Sequence, residues 1–239
     1  MKGSTNGRDP DFVVVGAQRA GTTSLMALLR QHPDVGQLPD RELHFFDFHF
    51  SYGPSWYRSH FTGPGVLGES SPYYLFHPDC ADRVATTCPH SRVVCVLRDP
   101  IERAYSQWQW NRARGREHLQ FVDALSEERS RLDRSDGWGR GSAYQDHSYI
   151  SRGDYRLQLE RWKSHIAGDR LVVLDGHQLF AGSREERGRL FSFLDIDPSP
   201  LLGRPHLNRS GTSLAKELRD VVEPYFWYDV LEFRDLTHT

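Results

Sequence analysis

Three unbroken apolar runs punctuate the chain: FVVVG at Phe12–Gly16, RVVCVLRDP at Arg92–Pro100 and DRLVVLDG at Asp169–Gly176. Runs of this length, rich in β-branched residues and ended by glycine, charge or proline, mark strands buried on both faces. Between them the period changes to that of a helix. Leu25, Leu28 and Leu29 share one face of a segment that Pro33 stops, and Pro100 stands in the first turn of IERAYSQWQWNRAR. Tyr155, Leu159, Trp162 and Ile166 form a third stripe, with Asp154 placed as its N-cap and Gly168 as its C′ residue. VLGE (Val66–Glu69) and the HFF segment at His44 give weaker strand patterns. Leu214, Leu218, Val221, Val222 and Tyr225 make a last helical stripe suited to core packing, bent or restarted at Pro224.

Strands that alternate with helices predict an α/β fold. We expect a single P-loop-like domain with a central parallel β-sheet flanked by helices, over residues 11–239, behind a flexible polar start at 1–10. Residues 114–152 admit two readings, a mobile lid or acceptor wall and a plain surface connection. Ligands in such folds lie beyond the carboxyl ends of the strands. Residues 17–24, 69–72 and 98–106 all fall there.

Composition narrows this only in part. With 38% hydrophobic residues and 12% aromatics among 239 residues, the chain has material for a real core. Its net charge of −2 gives no general attraction to nucleic acid or an acidic membrane. Positive charge comes from 27 arginines against three lysines, which reads either as a bias of coding composition or as planar, forked anion contacts, and both can hold at different positions. Cys80, Cys88 and Cys95 are odd in number and form no C-x-x-C pair, against a disulfide framework or zinc site. No secretory leader pattern and no apolar run of transmembrane length is found, so we expect no membrane insertion.

The chemistry begins at GAQRAGTTS, Gly16–Ser24. Gly16 and Gly21 have the spacing of a nucleotide-binding P-loop, but Thr22 stands where that motif has lysine. A strand–loop–helix unit offers backbone N–H groups and hydroxyls to an anion, and Arg19 adds a cation. A second such feature follows the next strong strand: Arg98, with Ser106 eight residues later, is spaced to grip a second phosphate. Joined, the two features describe a nucleotide with two separate phosphate sites and no obvious metal carboxylate.

Together, VVVGAQRAGTTSLMALLRQHPDV, RELHFFD, GESSPYYL, VLRDPIERAYSQW and GDYRLQLERWKSHIAGDRLVVLDGHQL resemble the sulfotransferase superfamily, in that family's order and over about four fifths of the chain. They are most similar to its bacterial and heparan sulfate branch. The resemblance implies 3′-phosphoadenosine 5′-phosphosulfate (PAPS) as donor, adenosine 3′,5′-bisphosphate (PAP) as product, and no metal. It places the 5′-phosphosulfate loop on Arg19, Ala20, Gly21, Thr22, Thr23 and Ser24, and the 3′-phosphate site on Arg98 and Ser106. A late nucleotide-contacting loop aligns loosely with Arg209, Ser210 and Gly211.

In heparan 3-O-sulfotransferases a run similar to RELHFFD carries the general base. That role falls here on Glu42, with His44 orienting or assisting and Asp47 setting the network. Two positions depart from relatives: Arg19 stands where lysine is frequent, and Ser70 replaces the lysine after the glutamate of the GESSP motif. Arg19 stabilises charge but cannot donate its proton. The implied acceptor is a hydroxyl of a small natural product or a saccharide, in a cytoplasmic, bacterial setting, with oligomeric state left open. The competing readings are an atypical P-loop kinase or NTPase, with Asp99 its candidate Mg²⁺ ligand, and a non-catalytic nucleotide-binding module.

Overall fold

The computed structural model describes residues 7–198, 214–226, 233, 235 and 236. In chain order the regular elements are β1 (Phe12–Gly16), α1 (Thr22–Leu29), α2 (Pro54–Arg58), β2 (Gly68–Ser70), α3 (Cys80–Thr87), β3 (Arg92–Leu97), α4 (Pro100–Arg112), α5 (Phe121–Ser126), α6 (Glu128–Asp133), α7 (Ala143–Asp146), α8 (Tyr155–His165), β4 (Leu171–Asp175), α9 (Gly176–Ala181), α10 (Arg184–Leu194) and α11 (Lys216–Val222).

The four strands form one parallel sheet in the order β2-β1-β3-β4. Phe12 pairs with Gly68 on one side and with Arg92 on the other, and Val93 pairs with Leu171. From β1 the chain steps outward to β2, then crosses back over β1 to β3. The direction of winding therefore reverses between β1 and β3, and a crevice opens at their carboxyl ends. Phe12 through Val15 and Val93 through Leu97 are fully buried because helices cover both faces. Trp162 and Leu159 of α8 pack into this core, as does Tyr155.

A second apolar cluster joins Ile101 and Ala104 of α4 to Phe121, Ala124, Leu125, Tyr149, Val222 and Phe226. It ties residues 121–149 to the helix that follows β3. This segment contributes Arg140, Gln145 and Asp146 to the wall of the main cleft, and Arg116 just before it lines the cleft too.

Several sequence expectations need correcting. The HFF segment is a tight turn, not a strand, and the edge strand is Gly68–Ser70 rather than one starting at Val66. Helix α1 closes at Leu29, before Pro33. Gly168 does not cap α8: Ile166 ends it in an extended conformation and Gly168 opens a short 3₁₀ turn. In the last stripe only Val222 is fully buried, while Val221 and Tyr225 face outward. Asp154 does cap α8, accepting from Leu157 N at 3.2 Å, and all three cysteines are free and buried.

Candidate functional site

A cleft of about 1820 Å³ opens at the sheet crevice. Its lining includes Gln18 through Ser24, Glu42, His44, Tyr73, Arg98, Ser106 and the segment Asp175–His177. The space exceeds that of an ordinary single-ligand pocket, about 300–1,000 Å³.

The loop after β1 is shaped by two left-handed residues. Arg19 has φ 70°, and Gly21, the N-cap of α1, has φ 98°. The turn presents the first N–H groups of α1, with Thr22 and Ser24 nearly buried beneath and Thr23 exposed. Gly21 is required by contact as well as by angle. A Cβ there would lie 2.3 Å from Cε2 of the Phe180 ring.

Arg19 Nε donates to Ser106 Oγ at 3.1 Å, and Arg98 Nη1 donates to Arg19 O at 3.3 Å. The sequence reading assigned Arg19 and Ser106 to different phosphates; the structure brings them into contact. Arg98 also pairs with Glu102 at 3.0 Å. Burial lowers the pKa of Arg19, and the charges of Arg98, Arg114 and Arg103 lower it further. That crowding of cations marks the loop end of the cleft as an anion site. Asp99 is otherwise engaged: its carboxylate caps α4 through Glu102 N at 2.9 Å and takes two hydrogen bonds from Arg219. Arg209, Ser210 and Gly211 lie outside the described residues.

The RELHFFD turn brings Glu42 and His44 to the same cleft. His44 Nε2 lies 2.9 Å from Glu42 Oε2, and His44 Nδ1 lies 2.7 Å from Asp47 Oδ2. Asp47 is fully buried at its side chain, His44 largely so, and Glu42 is half exposed at 46%. The turn is held in this shape by its surroundings. His44 takes the unusual φ of 51°, and its N–H donates to Ser71 Oγ at 3.0 Å. Ser71 in turn donates to the buried Glu69 at 2.8 Å, and Tyr74 Oη accepts from Phe45 N at 2.7 Å. Burial raises the Glu69 pKa to about 7 despite its hydrogen bonds from Ser71 and Tyr74. Glu69, Ser71 and Tyr74 all belong to GESSPYYL, so this motif supports the turn from behind.

Burial alone would lower the pKa of His44, but hydrogen bonds to Asp47 and Glu42 outweigh it and raise the value to about 9. His44 is therefore an imidazolium at neutral pH, between two carboxylates. A folded-state pKa above the unfolded value near 6.5 gives stability that is complete below pH 6.5 and lost as pH rises through about 9. The stability difference between the wild type and His44→Gln should shrink across that window, by at most roughly 3 kcal/mol. Urea unfolding at several pH values measures it; a difference that stays constant from pH 6.5 to 9.5 would show that His44 is not held as a cation.

Further lining residues were not singled out in the sequence. Gln18, Gln107, Asn111, Gln145 and Arg140 all face the cleft. Behind it, Arg103 and Arg152 are almost wholly buried guanidiniums. No periodicity signals a buried arginine, because the residue type reads as surface. Among the described residues no cluster of three or more His, Cys, Asp or Glu could hold a metal ion, and no helix is long and apolar enough to cross a membrane.

The strand–loop–helix anion site, the arginine after β3 and the carboxylate–imidazole turn define a class, and comparison with known proteins agrees. This chain belongs to the sulfotransferase domain family, which it matches over residues 9–223. Human heparan sulfate glucosamine 3-O-sulfotransferase 3B1 is 27% identical over 201 residues, covering 82% of this chain and 48% of that protein. The chain thus spans about half or less of the length of such curated relatives. A solved sulfotransferase from Alicyclobacillus acidocaldarius is 25% identical with a TM-score of 0.77, over 97% of this chain and 96% of that one. The mouse sulfotransferase SULT7A1, solved in complex with PAP, shares the fold at 13% identity with a TM-score of 0.57, over 95% of this chain and 87% of that one.

Proposed function

We infer that this chain is a PAPS-dependent O-sulfotransferase. The carrying observation is one cleft lined both by the arginine-bearing phosphate loop and by Glu42 and His44, with Asp47 buried behind His44. The residues present fit a bisphosphate nucleotide. Gln18 through Ser24 line the cleft, and the Phe180 ring fills the space that a side chain at Gly21 would take. Arg19, Ala20, Gly21, Thr22, Thr23 and Ser24 would hold the 5′ end, and Arg98 with Ser106 the 3′-phosphate.

When bound, PAPS supplies a sulfuryl group that passes in line to the acceptor oxygen, and PAP departs with the electron pair of the broken S–O bond. Arg19 and the loop N–H groups are placed to hold the charge that grows on the leaving phosphate oxygen. Arg19 does this by hydrogen bonds and charge, keeping its proton. Glu42 accepts the acceptor's hydroxyl proton. Its Oε2 is held by His44 Nε2, which leaves Oε1 for that task. Asp47 fixes the His44 ring by taking the Nδ1 proton in a hydrogen bond. The base is weak against an alcohol, but in a loose transition state the proton leaves late, when the oxygen has become acidic.

The acceptor is a small natural product or a saccharide. Tyr73 and Trp110 line the cleft beside polar Gln109, Asn111 and Gln145, a mixture suited to a partly apolar hydroxyl compound.

Thermal unfolding tests the donor assignment. PAP should raise Tm where ATP–Mg²⁺ at the same concentration does not, and Arg98→Ala should cut PAP affinity about tenfold by calorimetry. Selective stabilisation by ATP–Mg²⁺ would instead favour a kinase or NTPase. Labelled PAPS with a panel of phenols, alcohols and saccharides, read by mass spectrometry, identifies the acceptor.

A further inference from the structure

Gln18 occupies an unusual position in the loop. It lines the cleft, between the buried Ala17 and the half-buried Arg19. Its Oε1 accepts a hydrogen bond from Nη1 of Arg152. Only the oxygen of an amide can accept from a guanidinium, so the orientation of the Gln18 amide is settled by chemistry. Its Nε2 donors have no acceptor among the described residues, and that nitrogen is not buried. A two-proton donor is thus held open to the cleft.

Arg152 explains why the amide is held. It is 1% exposed, and no carboxylate pairs with it among the described residues. Nη2 donates to the carbonyls of Tyr144 at 2.5 Å and Gln145 at 2.9 Å. Its Cζ lies 5.0 Å from the centre of the Tyr73 ring and 5.1 Å from that of Phe76. Burial lowers its pKa to about 10, which leaves it charged at neutral pH. Tyr73 and Gln145 both line the cleft. Arg152 therefore joins the phosphate loop to the Tyr144–Gln145 stretch of the cleft wall, and holds the Gln18 side chain there.

The 5′-phosphate rests on the loop backbone, and the transferring group must project from it toward Glu42. Gln18 and Glu42 line the same cleft, so a loop donor open to that cleft is within the space the sulfuryl group must occupy. We propose that the Gln18 amide contacts the sulfuryl group, and that Arg152 is the positioning residue that presents it. This rests on the PAPS-donor reading above. It adds a contact that distinguishes PAPS from PAP, since PAP has no sulfuryl oxygens.

Calorimetry with PAPS and with PAP tests this without an acceptor. Gln18→Glu keeps an acceptor for Arg152, so the fold is retained, but it replaces the NH₂ donor with a carboxylate oxygen. PAPS affinity should fall about tenfold more than PAP affinity. The neutral Gln18→Met should shift the ratio in the same direction. Arg152→Met should narrow the PAPS preference in the wild type and leave it unchanged in the Gln18→Met background, while Arg152→Lys should restore part of it. Thermal unfolding of each variant reports the fold separately. Equal losses for PAPS and PAP in both Gln18 variants would overturn the proposal while leaving the donor reading intact. Binding of neither nucleotide by the wild type would overturn the donor reading and this proposal with it.

Discussion

Glu42→Gln should lower turnover roughly 100- to 10,000-fold, the range by which a positioned base accelerates proton transfer, while PAP affinity stays near that of the wild type. The substitution is close to isosteric, and its amide oxygen can still accept from His44 Nε2, which lies 2.9 Å from the carboxylate. The turn is fixed by Ser71, Tyr74 and Asp47, none of which hydrogen-bonds to Glu42 among the described residues. Folding is therefore preserved, and only the proton acceptor is removed. Transfer from labelled PAPS to a hydroxyl acceptor found in the panel, with PAP binding measured in parallel, gives the comparison. Turnover within threefold of wild type would remove Glu42 from the mechanism. A matching loss of PAP affinity would place it in nucleotide binding instead.

The parts of this molecule written locally in the chain were the parts that could be read from it. FVVVG followed by GAQRAGTTS carries its own strand, turn and helix start, and β1 and α1 lie where the pattern places them. The same is true of β3 and α4, where Pro100 opens the helix as expected. The RELHFFD turn was harder. Its residues were legible as a motif, but their apolar spacing suggested a strand. The turn exists because Ser71 and Tyr74, distant in sequence, bond its backbone. Arg19 and Ser106 were each found, but not their contact, because it spans two loops that meet only across the sheet crevice. Arg152 lay beyond reach altogether. A fully buried cation held by carbonyls and aromatic rings has no signature in a pattern of hydrophobic and polar positions.

Gly21→Ala should cost about tenfold or more in PAP affinity, because the loop that would hold the nucleotide must shift. Two independent effects act on the same residue. At φ 98° any L side chain is strained, at roughly 1–2 kcal/mol. The added methyl would also stand 2.3 Å from Phe180 Cε2 and 3.0 Å from its Cζ. Phe180 packs in the main core, so moving its ring costs packing there. The loop must yield, and with it the N–H groups that face the cleft. Thermal stability should fall as well, by about 2–4 °C per kcal/mol in a chain of this size. The two effects separate in a double variant. Phe180→Ala removes the steric conflict but not the backbone strain, so Gly21→Ala in that background should recover part of the lost affinity. Affinity within threefold of wild type for Gly21→Ala alone would show that this loop does not hold the nucleotide.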